Sequence, residues 1–197
     1  HHLVFTDDQT FFPTLGTTPY QQGSGQVADH PVVRHFSQRF STRTSQVTRR
    51  DYDFQRPSLL LESQFSAEFN PALEDYRSPL LIDSERRGRQ LARQALERHR
   101  ADYQLAEGKS DQSNLRSGHF FTLSEHPRSS CNALWLLLGV KHEGKQPQVL
   151  EESIGSDIKP EDGFTQGYRN SFSAIPWDVF YRPPLVTRPS LLVSQTA

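Results

Sequence analysis

The run YRNSFSAIPWDVFYRPP, residues Tyr168 to Pro184, decides how this chain is read. Tyr168, Asn170, Phe172 and Ala174 alternate with other residues at the period-two spacing of a strand that buries one face. Ile175-Pro176 then ends the run, because proline cannot donate to a sheet ladder. Beyond it Arg182 stands between an aromatic residue and two prolines, with no arrangement of nucleophile, base or ligand around it.

Working outward, Leu115 to Glu125 and Leu134 to His142 are two further strand-like runs separated by turns. Together the three runs predict a small antiparallel barrel or sandwich from about residue 110 onward, with Phe121, Leu123, Trp135, Leu137, Phe172 and Ile175 in or near its core. The linker from Gly144 to Gly167, carrying Glu151, Glu152, Asp157, Glu161 and Asp162, reads as a solvated, partly mobile excursion. Upstream lies one helix. Asp83 or Ser84 serves as its N-cap, and Leu91, Ala92, Ala95, Leu96, His99 and Tyr103 recur at helical spacing, with Gly108 placed to stop it. Gly88 weakens that helix by about 1 kcal/mol relative to alanine. Its narrow, alanine-rich face suits close packing on a sheet or a neighbouring chain.

The first part of the chain is richer in strands than in helices. Leu3-Val4-Phe5 reads as a short strand, and Val32, Val33, Phe36 and Phe40 fit a bent strand or a short helix. Strand is favoured, because Thr42, Thr44, Val47 and Thr48 continue the β-rich composition. Leu59 to Leu61 form another apolar run, and Gln64 to Pro79 reads as an irregular crossing loop.

A length of 197 residues suffices for one domain or two small ones. The chain holds no methionine and opens on His1-His2-Leu3, which predicts a tag remnant or a cut fragment rather than a translational start. A net charge of -1 gives no overall pull toward nucleic acid or an anionic membrane. The longest apolar run, Ala133 to Leu138, falls far short of the roughly 20 residues of a spanning helix, so no stable membrane insertion of this segment is expected. A single cysteine, Cys131, excludes an internal disulfide and a cysteine-rich zinc framework, and fits folding in a reducing cytoplasm.

Candidate chemistry is thin. His119, His126, Cys131 and His142 are metal-ligand residue types, but an offset of seven places His119 and His126 on opposite faces of a regular strand. Cys131 with His126 or His142 and Asp157 could form a nucleophile, base and orienter, yet Cys131 follows Pro127 to Ser130 in a loop with nothing to lower its pKa. Ser124, Ser129 and Ser130 lack a G-x-S-x-G context. Glu151-Glu152 and Glu161-Asp162 are adjacent and diverge on an extended chain, and Gly23-Ser24-Gly25 lacks the rest of a phosphate-binding fingerprint. Arg86, Arg87, Arg89, Arg93, Arg98 and Arg100 give the helix a basic flank, but Glu85, Glu97 and Asp102 interrupt it, so a solvated or subunit-facing surface is expected and no nucleic-acid binding. No residue is therefore assigned a catalytic, metal or cofactor role.

These segments, taken in order, resemble the VgrG (valine-glycine repeat) spike proteins of the type VI secretion system, which are related to the central hub of contractile phage tails. His1 to Asp8 looks like the family's HxLVFxDD strand, and Asp51-Tyr52-Asp53-Phe54-Gln55-Arg56-Pro57 is similar to its DYDFxxP block. Leu115 to Leu123 with His126-Pro127 resembles the L-x-PG-x-x-F-x-L-x-x-HP block, Trp135 to His142 the strand YLLxxVxH, and Tyr168 to Pro184 the YxNxF-x-AIP signature with its FRPP ending. The chain departs where Leu73 to Pro79 stands for Tyr-Asp-Tyr-Pro-Gly, where Ser117 replaces a proline, and where Phe180-Tyr181 replaces Pro-Phe.

The resemblance implies a β-rich α+β fold that would form the second half of a phage-tail-hub-like base. It would comprise a strand-rich part (1–78), a helical segment (79–109), a barrel-like domain (110–184) and a linker (185–197) toward a missing downstream barrel and needle. It further implies a homotrimer capping a hexameric, Hcp-like tube protein, meeting effectors, adaptors and a tip protein through missing segments. Such a spike is assembled in the bacterial cytoplasm and exported into a target cell or medium. Phe11-Phe12 and Phe120-Phe121 are expected as exposed aromatic segments at a trimer interface. The competing reading is a hydrolase domain using Cys131 or a serine; a nucleic-acid-binding module using the arginine helix ranks below it.

Overall fold

The structure, a computed structural model of the chain, describes residues 5–6, 8–22, 29–69, 71–80, 82, 84–146, 164 and 166–186. Its strands are β1 (Thr14–Pro19), β2 (Val33–Phe40), β3 (Gln46–Asp51), β4 (Leu61–Ser66), β5 (Glu74–Arg77), β6 (Gln104–Ser110), β7 (Phe120–Ser124), β8 (Leu134–Lys145) and β9 (Gly167–Pro176). One α-helix, α1 (Glu85–Arg100), interrupts them. The chain divides into two compact units, His1–Ser41 with Asp102–Val179, and Thr42–Ala101 with Phe180–Ala197.

The first unit is a six-stranded sheet in the order β1-β7-β8-β9-β6-β2. The β1-β7 pair is parallel and the other pairs are antiparallel. The two edges meet at one end. Tyr20, just past β1, bridges Val33 of β2, its N–H donates to Ser124 O at 2.7 Å, and the next residue, Gln21, donates to Val33 O at 2.9 Å. The curled sheet therefore closes on itself there, satisfying edge groups that would otherwise be left for water or another chain.

Alternation along the strands sorts side chains into two layers. Phe36, Leu115, Phe121, Leu123, Trp135, Leu137 and Phe172 fill the inside. Their rings meet in tilted and edge-on contacts, Phe36–Trp135 at 5.0 Å and Phe121–Phe172 at 5.4 Å between centroids. Space for the Phe172 ring exists only because its neighbour on β6 is Gly108, where a Cβ would lie 2.2 Å from Phe172 Cζ. On the other face Phe120, Leu136 and Ile175 form a second cluster with Phe12, Leu105, Leu138 and Val179. A 3-10 turn at Gln9–Phe11 straps this face, Gln9 Nε2 donating to the carbonyls of Trp177 and Val179 at 2.9 and 3.0 Å.

The second unit is the sheet β4-β3-β5, with β3 antiparallel to β4 and parallel to β5. Helix α1 covers one face through Ala92, Ala95 and Leu96 against Val47. Gly88 is the point of closest approach, since a Cβ there would lie 2.5 Å from Ser63 Oγ. The residue that costs helix propensity thus lets helix and strand touch.

Several expectations are corrected. The region 64–79 is not irregular, because it contains the end of β4 and all of β5; their polar alternation hides a sheet whose second face carries Gln64, Glu74 and Tyr76. The helix stops at Arg100, not Gly108. Tyr103 belongs to the turn into β6, where it packs on Phe40, and Gly108 lies mid-strand. The barrel is not drawn from residues after 110 alone, because β1, β2 and β6 supply three of its six strands; the compact units therefore cross the boundaries at 78, 109 and 184. Ile175 is fully buried as expected, in the cluster on the other face from the inner rings. Leu3 and Val4 of the expected strand and most of the acidic linker lie outside the described residues, while Phe5 is exposed and belongs to no strand.

Candidate assembly surfaces

Proline-rich segments hold a shape only where something ties them down. In the second unit Arg182 does so: its Nε donates to Glu97 Oε2 at 2.9 Å while Arg93 Nε donates to Glu97 Oε1 at 2.8 Å, and the guanidinium lies 4.6 Å from the Phe180 ring. One glutamate on α1 is shared between a helix arginine and the linker arginine. The basic flank of α1 is thereby largely consumed: Arg89 pairs with Glu85, and Arg100 lies over the Phe69 ring at 3.3 Å.

A second charged knot fixes β5 under the helix. Asp75 accepts from Arg49 Nη2 at 2.7 Å, is 2.8 Å from His99 Nε2, and accepts from Arg77 Nε at 3.3 Å. Arg49, itself buried, also donates to Thr48 O and Asp75 O. Burial by itself raises the Asp75 pKa, but the hydrogen bonds from Arg49 and His99 outweigh it and hold the carboxyl at about 2.

The DYDF block is a turn built by its own carboxylates. Asp51 accepts from the backbone N–H groups of Tyr52 at 2.8 Å and Ile82 at 2.7 Å, and Asp53 accepts from Gln55 N and pairs with Arg56 Nε at 2.8 Å. The acids face the chain and the aromatics face out, Tyr52 being 67% exposed and Phe54 80%, with Leu60 beyond the block 67% exposed as well. These residues, with Leu59, Phe65, Phe69 and Leu73, give the second unit its exposed apolar surface. The expectation for Phe120-Phe121 is overturned, since both rings are buried on opposite faces of β7; at the first pair only Phe11 is exposed, and Phe12 packs on the outer cluster. The aromatic surface of Tyr52 and Phe54 was missed, although the alternation of acid and aromatic in the block was visible.

Among the described residues, the histidines and the cysteine with metal-ligand or catalytic side chains make separate contacts. His126 N–H donates to Asn132 Oδ1 at 2.8 Å and its ring packs 4.4 Å from Tyr20, so it closes the loop leading to β8. His119 lies against Ser117 O and His142 against the Tyr168 hydroxyl. Among the described residues no three His, Cys, Asp or Glu side chains converge on a metal-sized site. Cys131 is buried beneath Gln38, whose Nε2 is 3.3 Å from Sγ, and burial pushes its thiol pKa up, the reverse of what a nucleophile needs. Asp157, the paired carboxylates and Gly23-Ser24-Gly25 lie outside the described residues.

The motif residues instead make structural bonds. Trp135 Nε1 donates to Cys131 O at 3.0 Å, Asn170 Nδ2 donates to Gln112 O at 2.8 Å, and Gly118 takes a positive φ of 68° while donating to Leu137 O. A closed-end barrel, a helix-covered small sheet and an anchored proline-rich exit define a tail-hub type of fold. The likeness to solved structures agrees: a 43 kDa tail protein of prophage MuSo2 from Shewanella oneidensis superposes with a TM-score of 0.58 over 86% of this chain and 47% of its own, at 10% identity.

Residues 1–148 match the family model described as the phage tail baseplate hub (GPD), and the chain belongs to that family. Two Pseudomonas aeruginosa proteins match the whole chain: the type VI secretion system spike protein VgrG4b at 55% identity over 204 residues, and spike protein VgrG5 at 54% over 203 residues. The chain spans 25% and 26% of their lengths.

Proposed function

We propose that this chain is a section of the hub-like base of a type VI secretion spike, acting as a homotrimer that caps a hexameric tube protein and carries effectors or adaptors toward a target cell. The carrying observation is identity above one half along the entire chain to proteins named as such spikes, on a hub-family fold. Work of this kind is mechanical. A barrel with a dense aromatic interior transmits force because packed rings yield little before they break contact.

Three barrels per trimer leave a hexameric tube unmatched. A second, similar barrel per chain, in the part of the protein beyond this segment, would supply the six units required. In this reading the segment performs no hydrolysis: its one thiol is buried with a raised pKa, and the motif residues serve as hydrogen-bonded struts. The protein would be assembled inside the producing cell and exported with the tube. Among the described residues no helix is long and apolar enough to cross a membrane.

The test is co-sedimentation of the full-length protein with assembled tube protein from the same secretion system. Retention on tube ends at a ratio of three chains per six-subunit ring is expected. Full-length protein that remains in the supernatant at micromolar concentration would overturn the reading.

A further inference from the structure

The outer face of the barrel carries a polar row whose make-up differs from the rest of the sheet. His35 of β2 is in register with Lys109 of β6, Lys109 with Ser171 of β9, and Ser171 with Lys141 of β8. In the next row Ser37 faces Glu107, Glu107 faces Ser173, and Ser173 faces Gly139. Small residues form the floor and long cationic ones stand on it. Two adjoining hollows of about 550 and 460 Å³ result, sharing His35, Lys109 and Ser171.

Ion pairing engages Lys141, which stays largely exposed, and leaves Lys109 and His35 of this row unused. Arg34 is taken by Asp111 at 2.7 Å, and Glu143 is shared by Lys141 at 2.7 Å and Arg169 at 2.6 Å. Lys109 and His35 have no partner among the described residues. Asn170, next to Ser171 on β9, turns to the inner face with Phe172 and donates through Nδ2 to Gln112 O at 2.8 Å, so the outer row is left to Ser171 and the lysines.

We propose that this trough docks an acidic segment of a second protein, two of whose carboxylates meet Lys109 and Lys141. The two lysines stand two strand spacings apart, about 10 Å. Glutamates roughly seven residues apart on a helix have that separation. The Ser171, Ser173 and Gly139 floor lets the partner's backbone approach the sheet. A nucleic acid fits poorly, because Glu107, Asp111 and Glu143 flank the cationic row and would repel a continuous phosphate backbone. The inference rests on the barrel face alone, so it stands or falls separately from tube capping.

The probe is a fluorescent, alanine-based helical peptide with two glutamates about seven positions apart. Its anisotropy is titrated with this chain at low salt and again near 0.3 M. Saturable binding is expected, at least about tenfold weaker at the higher salt. It should also weaken at least about tenfold in the Lys109→Glu/Lys141→Glu variant, and measurably in the milder Lys109→Gln/Lys141→Gln variant. Reversal of Arg86 and Arg87 on α1 should leave it unchanged. Circular dichroism establishes that each variant is folded, and the glutamine pair decides the matter if the glutamate pair is not. Three results would each overturn the proposal: no saturable binding of the glutamate peptide, equal binding to the glutamine variant, or equal affinity for a lysine-substituted peptide or a DNA duplex.

Discussion

Replacing Gly108 by alanine adds one methyl group to a strand, a change that ordinarily stabilises a strand interior by about 0.5–1 kcal/mol. Here the sign should reverse. The new Cβ would lie 2.2 Å from Phe172 Cζ and 2.7 Å from Cε1 and Cε2, where carbon atoms need about 3.5 Å or more. The ring cannot swing aside freely, because Phe36 and Phe121 pack around it at 6.4 and 5.4 Å between centroids. Overpacking of this size costs about 1–3 kcal/mol, and Phe172→Ala alone should cost about 3–5 kcal/mol through lost burial and a cavity. The pair should couple, because the cavity left by Phe172→Ala receives the Gly108→Ala methyl, making the double variant at least about 1 kcal/mol more stable than additivity predicts. Urea unfolding followed by the fluorescence of Trp135, buried in the same core, measures all four stabilities, with Trp177, more than half exposed, contributing a largely solvated background. If Gly108→Ala is neutral or stabilising, or if the two changes add, the packing described for the barrel interior is wrong.

The Asp75 knot makes stability depend on pH in a defined window. Its carboxyl is held at about 2 in the folded chain against an ordinary 3.8, so its contribution is fully present above about pH 4 and is lost as pH falls through about 2. Asp75→Asn should cost about 2 kcal/mol at pH 7, with the gap to the parent narrowing between about pH 4 and 2; a pH-independent gap in thermal unfolding would contradict this. Cys131 should react slowly with a thiol reagent in the folded chain and quickly in denaturant, and a native rate matching a free thiol would show that it is not buried. Arg182→Ala should free the linker, read as faster proteolysis after residue 180 with barrel unfolding unchanged; equal cleavage rates would show that Glu97 is not the anchor.

How far the sequence revealed this arrangement depended on how local each signal was. Strands β7, β8 and β9 were legible because Phe121, Leu123, Trp135, Leu137 and Phe172 alternate along contiguous runs. The start of α1 was legible for a similar reason, Ser84 being the N-cap. Membership of β1, β2 and β6 in the same barrel was not, since pairing across tens of residues leaves no periodic trace. Gly108 misled because glycine marks both helix ends and close approaches, and only the partner ring distinguishes them. β5 was hidden by Glu74, Asp75 and Arg77, charged residues that alternation treats as loop but that Arg49 and His99 hold in place. Burial of both Phe120 and Phe121 required strand β7 to be covered on its two faces, which depends on Phe12 and the Gln9 strap far away in sequence. The surface formed by Tyr52 and Phe54 needed the opposite insight, that Asp51 and Asp53 turn inward to bind backbone.

The most direct test of the hub assignment is the mass of the full-length protein by light scattering across a micromolar dilution series. A concentration-independent mass of three chains is predicted, with this segment's barrel folded in the same sample by Trp135 fluorescence. A monomer with that barrel folded would contradict the assignment.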